Sequence, residues 1–212
     1  MTAAHVAPTR VVWDFGAVLF SWRPPALLQR VLPGRAVDEA SAAHWVGQFF
    51  QAYGGDWGEF DRGTVDVPTL VQRISARTGL SAAEVQAVVD GVPGELQPLP
   101  DSVALVQRLQ AAGVVQHYLS NMPAPYADHL ESTHAFLGLL HSGVFSARVQ
   151  RMKPDPAIFE LAAQRFGVPP AQLLFFDDHP ANVQAARAAG WQAELFTTAA
   201  AAEAVLQAHG LL

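Results

Sequence analysis

Four short polar segments of the sequence carry side chains that could act together on a phosphate group. They are Asp14, Ser120-Asn121, Lys153 and Asp177-Asp178. Three of the four directly follow runs of apolar residues that have the character of buried strands. A polar side chain at the C-terminal end of such a strand is where α/β enzymes place nucleophiles and metal ligands. In this order along the chain, the four segments predict a site for phosphoryl transfer.

Asp14 follows Val11-Val12-Trp13 and is followed by Phe15-Gly16. On its own this arrangement is typical of a turn, because aspartate and glycine are both common where a strand ends. The functional interpretation is that the Asp14 carboxylate attacks phosphorus and forms an aspartyl-phosphate. In that case we expect Gly16 to let the backbone bend sharply, so that its carbonyl group faces a metal ion.

Asp177 and Asp178 form an adjacent acidic pair behind four apolar residues, 173–176. One aspartate would be enough to cap the helix that is predicted to start at Pro180. Two adjacent carboxylates repel each other, and a divalent cation would relieve that repulsion. Because the available ligands are oxygen atoms, the pair favours Mg²⁺.

The other two segments have structural interpretations beside the functional ones. Ser120-Asn121 could form a simple turn, or could bind phosphate oxygen atoms through a hydroxyl and a backbone N–H group. Lys153 could be a solvated loop lysine, or could neutralise charge on the nucleophile and the transferred group. His179 follows the acidic pair and could reach a substrate, but its position is also typical of a residue at the start of a helix.

Composition narrows the class of protein. The 212 residues include no cysteine, which excludes disulfides, cysteine–zinc sites and thiol catalysis. A net charge of -6 argues against nucleic acid or an anionic membrane as the main partner. No apolar run reaches the roughly 20 residues of a membrane span, and residues 1–8 lack the apolar core of a signal peptide. We therefore expect a cytoplasmic protein whose first few residues are frayed.

From Pro98 onwards the pattern alternates between helix and strand. The predicted helices cover 101–112, 156–166, 180–189 and 199–209, and the predicted strands cover 114–119, 173–176 and 192–196. This alternation predicts a parallel sheet with helices on both faces. A long segment without strand signals separates the first strand, at 11–13, from the others, so we expect a helical insert to interrupt the core.

The insert contains several helix signals. A helix start lies at 66–68, and a capping box at 81–84 precedes the next apolar positions. Trp45, Phe49 and Tyr53 recur every four residues, as they would on one face of a helix. These aromatic side chains could line a substrate pocket, but we expect them to form the small core of the insert.

Taken together, these motifs resemble those of the haloacid dehalogenase (HAD) superfamily of hydrolases, from about Arg10 to the C-terminus. The matching motifs are Val11-Val12-Trp13-Asp14-Phe15-Gly16-Ala17-Val18-Leu19, His117-Tyr118-Leu119-Ser120-Asn121, Lys153-Pro154-Asp155-Pro156 and Phe175-Phe176-Asp177-Asp178. The segment Trp57-Gly58-Glu59-Phe60-Asp61-Arg62-Gly63 resembles part of the helical cap of subfamily I. The resemblance implies an α/β fold: a Rossmann-like parallel sheet core, residues 1–20 and 97–212, with an inserted all-helical cap, residues 21–96, that closes over the site.

The resemblance also implies roles for the site residues. The implied catalytic residues are Asp14, as the nucleophile, and Lys153. The implied ligands of Mg²⁺ are the Asp14 side chain, the Gly16 carbonyl and Asp178, with Asp177 reaching the metal or a bound water. The implied phosphate-binding groups are Ser120, the backbone near Asn121, and Lys153. Water would then hydrolyse the aspartyl-phosphate.

One position departs from the family pattern. Typical phosphatases of the superfamily carry a second aspartate two residues after the nucleophile, as a general acid and base, where this chain has Gly16. Some sugar-phosphate phosphatases of the family resemble this sequence in having glycine there. Glycine cannot supply the proton that a leaving alkoxide needs, so we expect substrates with a stable leaving group to react fastest.

The function implied by the resemblance is Mg²⁺-dependent hydrolysis of a small phosphomonoester, such as a sugar phosphate. The expected partner is a small phosphorylated metabolite, not nucleic acid or a membrane, and the expected assembly is a monomer or a weak homodimer. Two alternatives remain on the same scaffold. One is a 2-haloacid dehalogenase, whose aspartate attacks carbon without a metal. The other is a catalytically weak binding or regulatory protein.

Overall fold

The core of the protein is a five-stranded parallel sheet. The structure is a computed structural model, and it describes residues 7–212. Along the chain the strands are β1 (Arg10–Trp13), β2 (Val115–Ser120), β3 (Ser142–Phe145), β4 (Leu173–Asp177) and β5 (Gln192–Leu195). Their order across the sheet is β3-β2-β1-β4-β5, with β1 in the centre. The carboxyl ends of β1, β2 and β4 therefore lie side by side, at the point where the strand order reverses.

Helices surround this sheet on both faces. They are α1 (Pro24–Val31), α2 (Glu39–Phe50), α3 (Gly55–Arg62), α4 (Val67–Thr78), α5 (Ala82–Glu95), α6 (Pro100–Ala111), α7 (Ala124–Thr133), α8 (Ser146–Val149), α9 (Pro156–Phe166), α10 (Pro180–Ala188) and α11 (Ala199–Ala208). Val11 and Trp13 of β1 belong to the hydrophobic core that includes α6 and α11. Val12 belongs to the opposite core, with α9 and α10. Burial on both faces explains why the central strands β1 and β4 are almost entirely apolar. The arrangement confirms the predicted α/β, Rossmann-like fold class.

The predicted helices and strands after residue 98 agree with the structure to within one residue at each end. The helix over 156–166, for example, coincides with α9. β3 and α7, which lie between β2 and the Lys153 loop, are not predicted from the sequence pattern.

Between β1 and α6 the described chain is helical. The side chain of Asp66 accepts a hydrogen bond from the Thr69 N–H at 3.0 Å and caps α4. Ser81 and Glu84 form the reciprocal capping box of α5. Both predicted helix starts are therefore confirmed, because these signals depend only on residues within one turn of the helix end.

Trp45 and Phe49 lie four residues apart in α2, but Tyr53 lies beyond its end, so the predicted helical face fails at Tyr53. Helix α2 ends at Phe50, and Gln51–Tyr53 form a short 3-10 segment in which all three residues have positive φ, at 49°, 50° and 62°. Phe49 is fully buried, as expected for a core residue. Trp45 and Tyr53 are half-buried and pack against the edge of the core.

The two chain segments that join this helical region to the sheet run side by side. The Ser21 N–H donates to the Gln97 carbonyl at 2.8 Å. The buried carboxylate of Glu95 pairs with Arg23 at 3.0 Å and with Arg30 at 2.9 Å. The division into a core and a cap at residues 21–96 stays a prediction.

Among residues 7–212, no helix combines the length and the apolar character that crossing a membrane requires. Residues 1–6, most of the segment expected to be frayed, lie outside the described residues.

Candidate active site

The polar residues predicted from the sequence meet at the carboxyl edge of the sheet. Asp14 follows β1, Ser120 ends β2 and Asp177 ends β4, so three neighbouring strands bring them together. Lys153 reaches the same place from the loop between α8 and α9. A cavity of about 200 Å³ lies between this edge and the helical region. The predicted site residues that line it are Asp14, Gly16, Ser120, Asn121, Lys153 and Asp178.

Lys153 bridges two carboxylates. Its Nζ lies 2.8 Å from Asp14 Oδ1 and 2.6 Å from Asp177 Oδ2. All three side chains are buried. Burial acts to lower the pKa of Lys153, but the two carboxylates outweigh it and raise that pKa above its usual value. Lys153 is therefore charged, and it holds Asp14 in a fixed orientation.

Asp177 is held by the protein from several sides. Its Oδ1 accepts hydrogen bonds from the His179 N–H at 2.8 Å and from Asn182 Nδ2 at 3.0 Å. Its Oδ2 accepts from Lys153 Nζ, and the side chain is fully buried. The adjacent Asp178 is exposed and lines the cavity. The two adjacent aspartates therefore have different environments: Asp177 positions Lys153, while Asp178 is accessible to a ligand.

Asn121 fixes the lysine loop to the end of β2. Its Nδ2 donates to the Lys153 carbonyl at 2.9 Å, and its Oδ1 accepts from the Lys153 N–H at 2.8 Å. This reciprocal pair explains how a loop residue comes to point reliably at Asp14. Phosphate binding by the backbone near Asn121 is the role expected from the sequence, and this second role of its side chain is not predicted there.

The site carries more negative than positive charge. Oxygen atoms of Asp14, Asp177 and Asp178 all lie within 4.8 Å of one another. The pKa of Asp14 is raised to about 7, because burial and the charges of Asp177 and Asp178 outweigh the opposing effect of Lys153. Burial and the neighbouring Asp177 raise the pKa of Asp178. A divalent cation among these oxygen atoms would balance the charge and favour the ionised carboxylates, so the donor set fits Mg²⁺.

Gly16 lines the cavity and is a central residue of the turn that follows β1, where the Val18 N–H donates to the Phe15 carbonyl at 3.2 Å. The residue with left-handed backbone in this loop is Ala17, with φ of 56°. A Cβ atom added to Gly16 would meet the Trp22 side chain no closer than 3.7 Å, which is an ordinary van der Waals contact. The chain therefore bends at Gly16 as predicted, without a left-handed glycine, and the position has room for a side chain. That the Gly16 carbonyl faces a metal stays a prediction.

His179 caps the N-terminus of α10. Its Nδ1 accepts a hydrogen bond from the Ala181 N–H at 3.3 Å. The ring is exposed and also borders the cavity. The interpretation of His179 as a residue at the start of a helix is confirmed.

Asp61, which the sequence analysis does not single out, lines the same cavity from α3. It is 4% exposed. Burial raises the pKa of Asp61 well above its usual value, the charge of Asp14 raises it further, and Lys153 acts to lower it. The available signal in the sequence is the spacing: Asp61 follows Trp57 by four residues, which places both on the buried side of the helix.

The remaining wall of the cavity is largely apolar. The apolar side chains that line it include Trp22, Trp57, Val92, Leu96, Met122 and Tyr126. Tyr53 lies among them, and its hydroxyl accepts a hydrogen bond from Trp22 Nε1 at 2.8 Å. The cavity therefore has a charged end at the sheet and an apolar end beneath the helices.

The fold and this site agree with one protein family. Residues 29–190 match the family model described as haloacid dehalogenase-like hydrolase. This match spans most of the chain, and the protein belongs to that family of hydrolases. Because the match begins after Asp14, the assignment of a nucleophile depends on the geometry described above.

Two relatives of the chain are phosphatases. The chain is 27% identical to the sesquiterpene phosphatase astK of Aspergillus oryzae, over 84% of this chain and 85% of that protein. It is 30% identical to validoxylamine A 7'-phosphate phosphatase of Streptomyces hygroscopicus subsp. limoneus, over 69% of this chain and 64% of that protein. The predicted class of enzyme, a phosphatase-like HAD hydrolase, is confirmed.

The fold is also similar to that of a solved HAD family enzyme, bt-2542 from Bacteroides thetaiotaomicron, in complex with magnesium and inorganic phosphate. The TM-score is 0.70 with 16% sequence identity, over 90% of this chain and 94% of that chain. At this identity the similarity supports the fold alone.

Proposed function

We propose that this protein is a Mg²⁺-dependent phosphatase that hydrolyses a small phosphomonoester through an aspartyl-phosphate on Asp14. The observation that carries the proposal is the buried bridge from Asp14 through Lys153 to Asp177, with Asp178 beside it in the cavity. Such a cluster of oppositely charged groups at the carboxyl edge of a parallel sheet is suited to binding and attacking a phosphate ester.

Asp14 has the properties of a nucleophile. Lys153 holds its Oδ1 at 2.8 Å, and no described residue donates a hydrogen bond to its Oδ2. The carboxylate would attack phosphorus as the bond from phosphorus to the leaving oxygen breaks. Water would then attack the phosphorus atom of the aspartyl-phosphate, which releases inorganic phosphate and regenerates Asp14.

Asp14, Asp178 and the Gly16 carbonyl would hold the magnesium ion. The ion would neutralise phosphate charge and stabilise the charge that develops in the transition state. Asp177 would act mainly through Lys153, because its oxygen atoms already accept hydrogen bonds from the protein.

Ser120 and Lys153 would bind the phosphate group together with backbone N–H groups near Asn121. The buried Ser120 ends β2 and lines the cavity beside Asp14. The helices between residues 21 and 96 would serve as a cap that excludes water from this end of the cavity.

The apolar wall favours a phosphate ester of an apolar alcohol. It does not favour a sugar phosphate, the example that the family resemblance suggested. Each sugar hydroxyl buried there without a partner would cost about 1–3 kcal/mol. The relative named as a sesquiterpene phosphatase supports an apolar alcohol.

A phosphate-release assay over a panel of phosphomonoesters tests the proposal. The panel should contain apolar, aryl and sugar esters, each measured with Mg²⁺ and with excess EDTA. We expect release that requires Mg²⁺, is fastest with apolar esters, and disappears in Asp14→Asn. An acid-stable phosphoprotein, trapped by quenching during turnover, should be absent from that variant.

The same samples separate the two alternatives. Dehalogenation needs no metal, so the acidic pair at 177–178 argues against it. Chloride release from 2-chloropropionate without phosphate release would support the dehalogenase. Tight phosphate-ester binding without turnover of any ester would support a binding protein.

A further inference from the structure

The carboxyl group of Asp61 is buried in the cavity without a partner. The residue is 4% exposed, and its side chain makes no hydrogen bond or ion pair within residues 7–212. Its carboxylate oxygens are not among the fully enclosed polar side-chain atoms of the described residues, so what surface they keep faces the cavity. Because Asp61 lines the same cavity as Asp14, its carboxyl group is placed to contact a ligand that binds beside Asp14.

Contacts between the helical region and the core fix the position of Asp61. The Ser146 hydroxyl donates to the Asp61 backbone carbonyl and accepts from the Met122 N–H at 2.9 Å. Two residues further on, Gly63 lies directly against the Ala147 backbone. These contacts hold the end of α3 against the loop after β2 and the start of α8, so the Asp61 carboxyl faces the cavity from a fixed point.

The proposed reaction needs a proton donor, and no group of the core that lines the cavity is a buried acid free to supply it. Gly16 has no side chain, and Lys153 is paired with two carboxylates. His179 accepts a hydrogen bond at Nδ1 to cap α10, which leaves only Nε2, on an exposed ring at the border of the cavity, as a donor. Burial raises the pKa of Tyr53, so its hydroxyl is a poor acid at neutral pH.

Resting on the phosphatase function proposed above, we infer that Asp61 is the general acid and base of this enzyme. When Asp14 attacks phosphorus, the bond between phosphorus and the leaving oxygen breaks, and that oxygen takes the proton of the Asp61 carboxyl group. The alcohol leaves, and Asp61 is a carboxylate. In the second half, Asp61 takes a proton from the water that attacks phosphorus, the bond to Asp14 breaks, and both aspartates return to their starting states.

The surroundings of Asp61 suit this role. Burial and the charge of Asp14 favour the protonated form, while Lys153 favours the ionised form. Asp14 and Lys153 lie on the core side of the cavity, and Tyr53 and Tyr126 lie near the same carboxyl group. A carboxylic acid in such a site starts the cycle as a proton donor.

The test is kcat/KM measured for esters of increasing leaving-group pKa, from p-nitrophenyl phosphate to hexyl phosphate. In Asp61→Asn, hexyl phosphate should lose about 10²–10⁴-fold in kcat/KM, which is the usual contribution of a general acid. p-Nitrophenyl phosphate, whose leaving group needs no proton, should lose less than about tenfold. Its turnover should show a burst followed by accumulation of phosphoenzyme, because the second half also lacks its base.

The matched control is Glu59→Gln, on the same helix but paired with Arg73 at the surface, which should leave all rates unchanged. Equal losses for every ester in Asp61→Asn, without phosphoenzyme accumulation, would overturn the inference and leave the phosphatase function standing.

If Asp61→Asn does not fold, the same series of esters is measured with the parent protein. A shallow dependence of kcat/KM on leaving-group pKa supports an acid at Asp61, and a steep dependence contradicts it. An absence of phosphoenzyme and phosphate release in the parent would contradict the phosphatase function itself.

Discussion

Lys153 and Asp14 form an ion pair, with 2.8 Å between Nζ and Oδ1, in which both partners are buried. The same ammonium group lies 2.6 Å from Asp177. Removing charges from water is costly, and only well-placed partners offset that cost. Here a single lysine balances the charge of a cluster of three carboxylates, because Asp178 lies in the same cluster as Asp14 and Asp177. The site is therefore held together by charge pairing and still has a deficit of positive charge.

Replacing Lys153 by methionine should strongly destabilise the protein. The substitution leaves Asp14 and Asp177 buried without a cation, and breaking a buried pair in this way costs about 3–5 kcal/mol. Urea denaturation in EDTA measures the free energy of unfolding. Arg151→Met, in the same loop but exposed, is the control and should change it little. Equal stability of the two variants would mean that Lys153 does not hold the carboxylates together.

Magnesium should stabilise the protein through Asp178. A ligand that binds only the folded state at 100 times its Kd adds about 2.7 kcal/mol to the free energy of unfolding. We expect such an increase in the parent and in Asp101→Asn, a control on the exposed start of α6. Asp178→Asn should lose it. Thermal melting at increasing Mg²⁺ concentration tests this, and an unchanged response in Asp178→Asn would place the ion elsewhere.

Features set by neighbouring residues could be predicted from the sequence. Helix α4 is predicted from the capping residue Asp66 and from Gly79 at its end. The charged end of the cavity is predicted from the carboxylates that follow apolar strands. Strand β3 has no apolar run that would distinguish it, because the sequence of its four residues is Ser-Gly-Val-Phe. It is a strand because β2 pairs with it at the edge of the sheet.

The role of Asp61 could not be predicted, because its burial is not a local property. It lies between Phe60 and Arg62 in a helix with other charged residues, a pattern that is also typical of a solvated surface. Its backbone carbonyl is held by the hydroxyl of Ser146, which is 85 positions away in the chain. Only the docking of the helical region on the core brings the two together.

A substitution at Gly63 should disturb that docking. Gly63 has φ of 77°, and an added Cβ would lie 2.5 Å from the Ala147 carbonyl oxygen. Gly79 is the matched control, with φ of 75° and nothing within 4 Å. Gly79→Ala should cost about 1–2 kcal/mol from backbone strain alone. Gly63→Ala should cost more and also lower kcat/KM, measured on the best substrate of the panel. Identical effects would show that this contact does not position the helical region.

His117 should make stability depend on pH. Burial lowers the pKa of His117 to about 4, with contributions from His141 and Arg10. Its Nδ1 lies 2.9 Å from Ser142 Oγ, and the ring stacks on Phe166. Between pH 6.5 and 4 the unfolded chain binds a proton that the folded protein does not. The free energy of unfolding should therefore decrease as the pH is lowered from 6.5 to 4, and this group should account for about 3 kcal/mol of the decrease.

The variant His117→Phe removes this ionisable group while keeping a flat ring beside Phe166. Denaturation curves at pH 4 to 7 should show a weaker pH dependence in the variant than in the parent. His44→Gln, at an exposed position on α2, should follow the parent. If His117→Phe follows the parent as well, another group causes the pH dependence.

An aspartate introduced at position 16 should take over the role proposed for Asp61. The backbone at Gly16 is not left-handed, and the nearest atom to an added Cβ is the Trp22 Cβ at 3.7 Å, so Gly16→Asp should fold. Its carboxyl group would lie two residues from Asp14, where it could donate a proton to the leaving oxygen. In the Asp61→Asn background, Gly16→Asp should therefore recover about 10²-fold or more of kcat/KM for hexyl phosphate. Gly16→Asn in the same background matches its size without an ionisable proton and should recover nothing. If both variants restore activity equally, the defect of Asp61→Asn is one of substrate position rather than proton transfer.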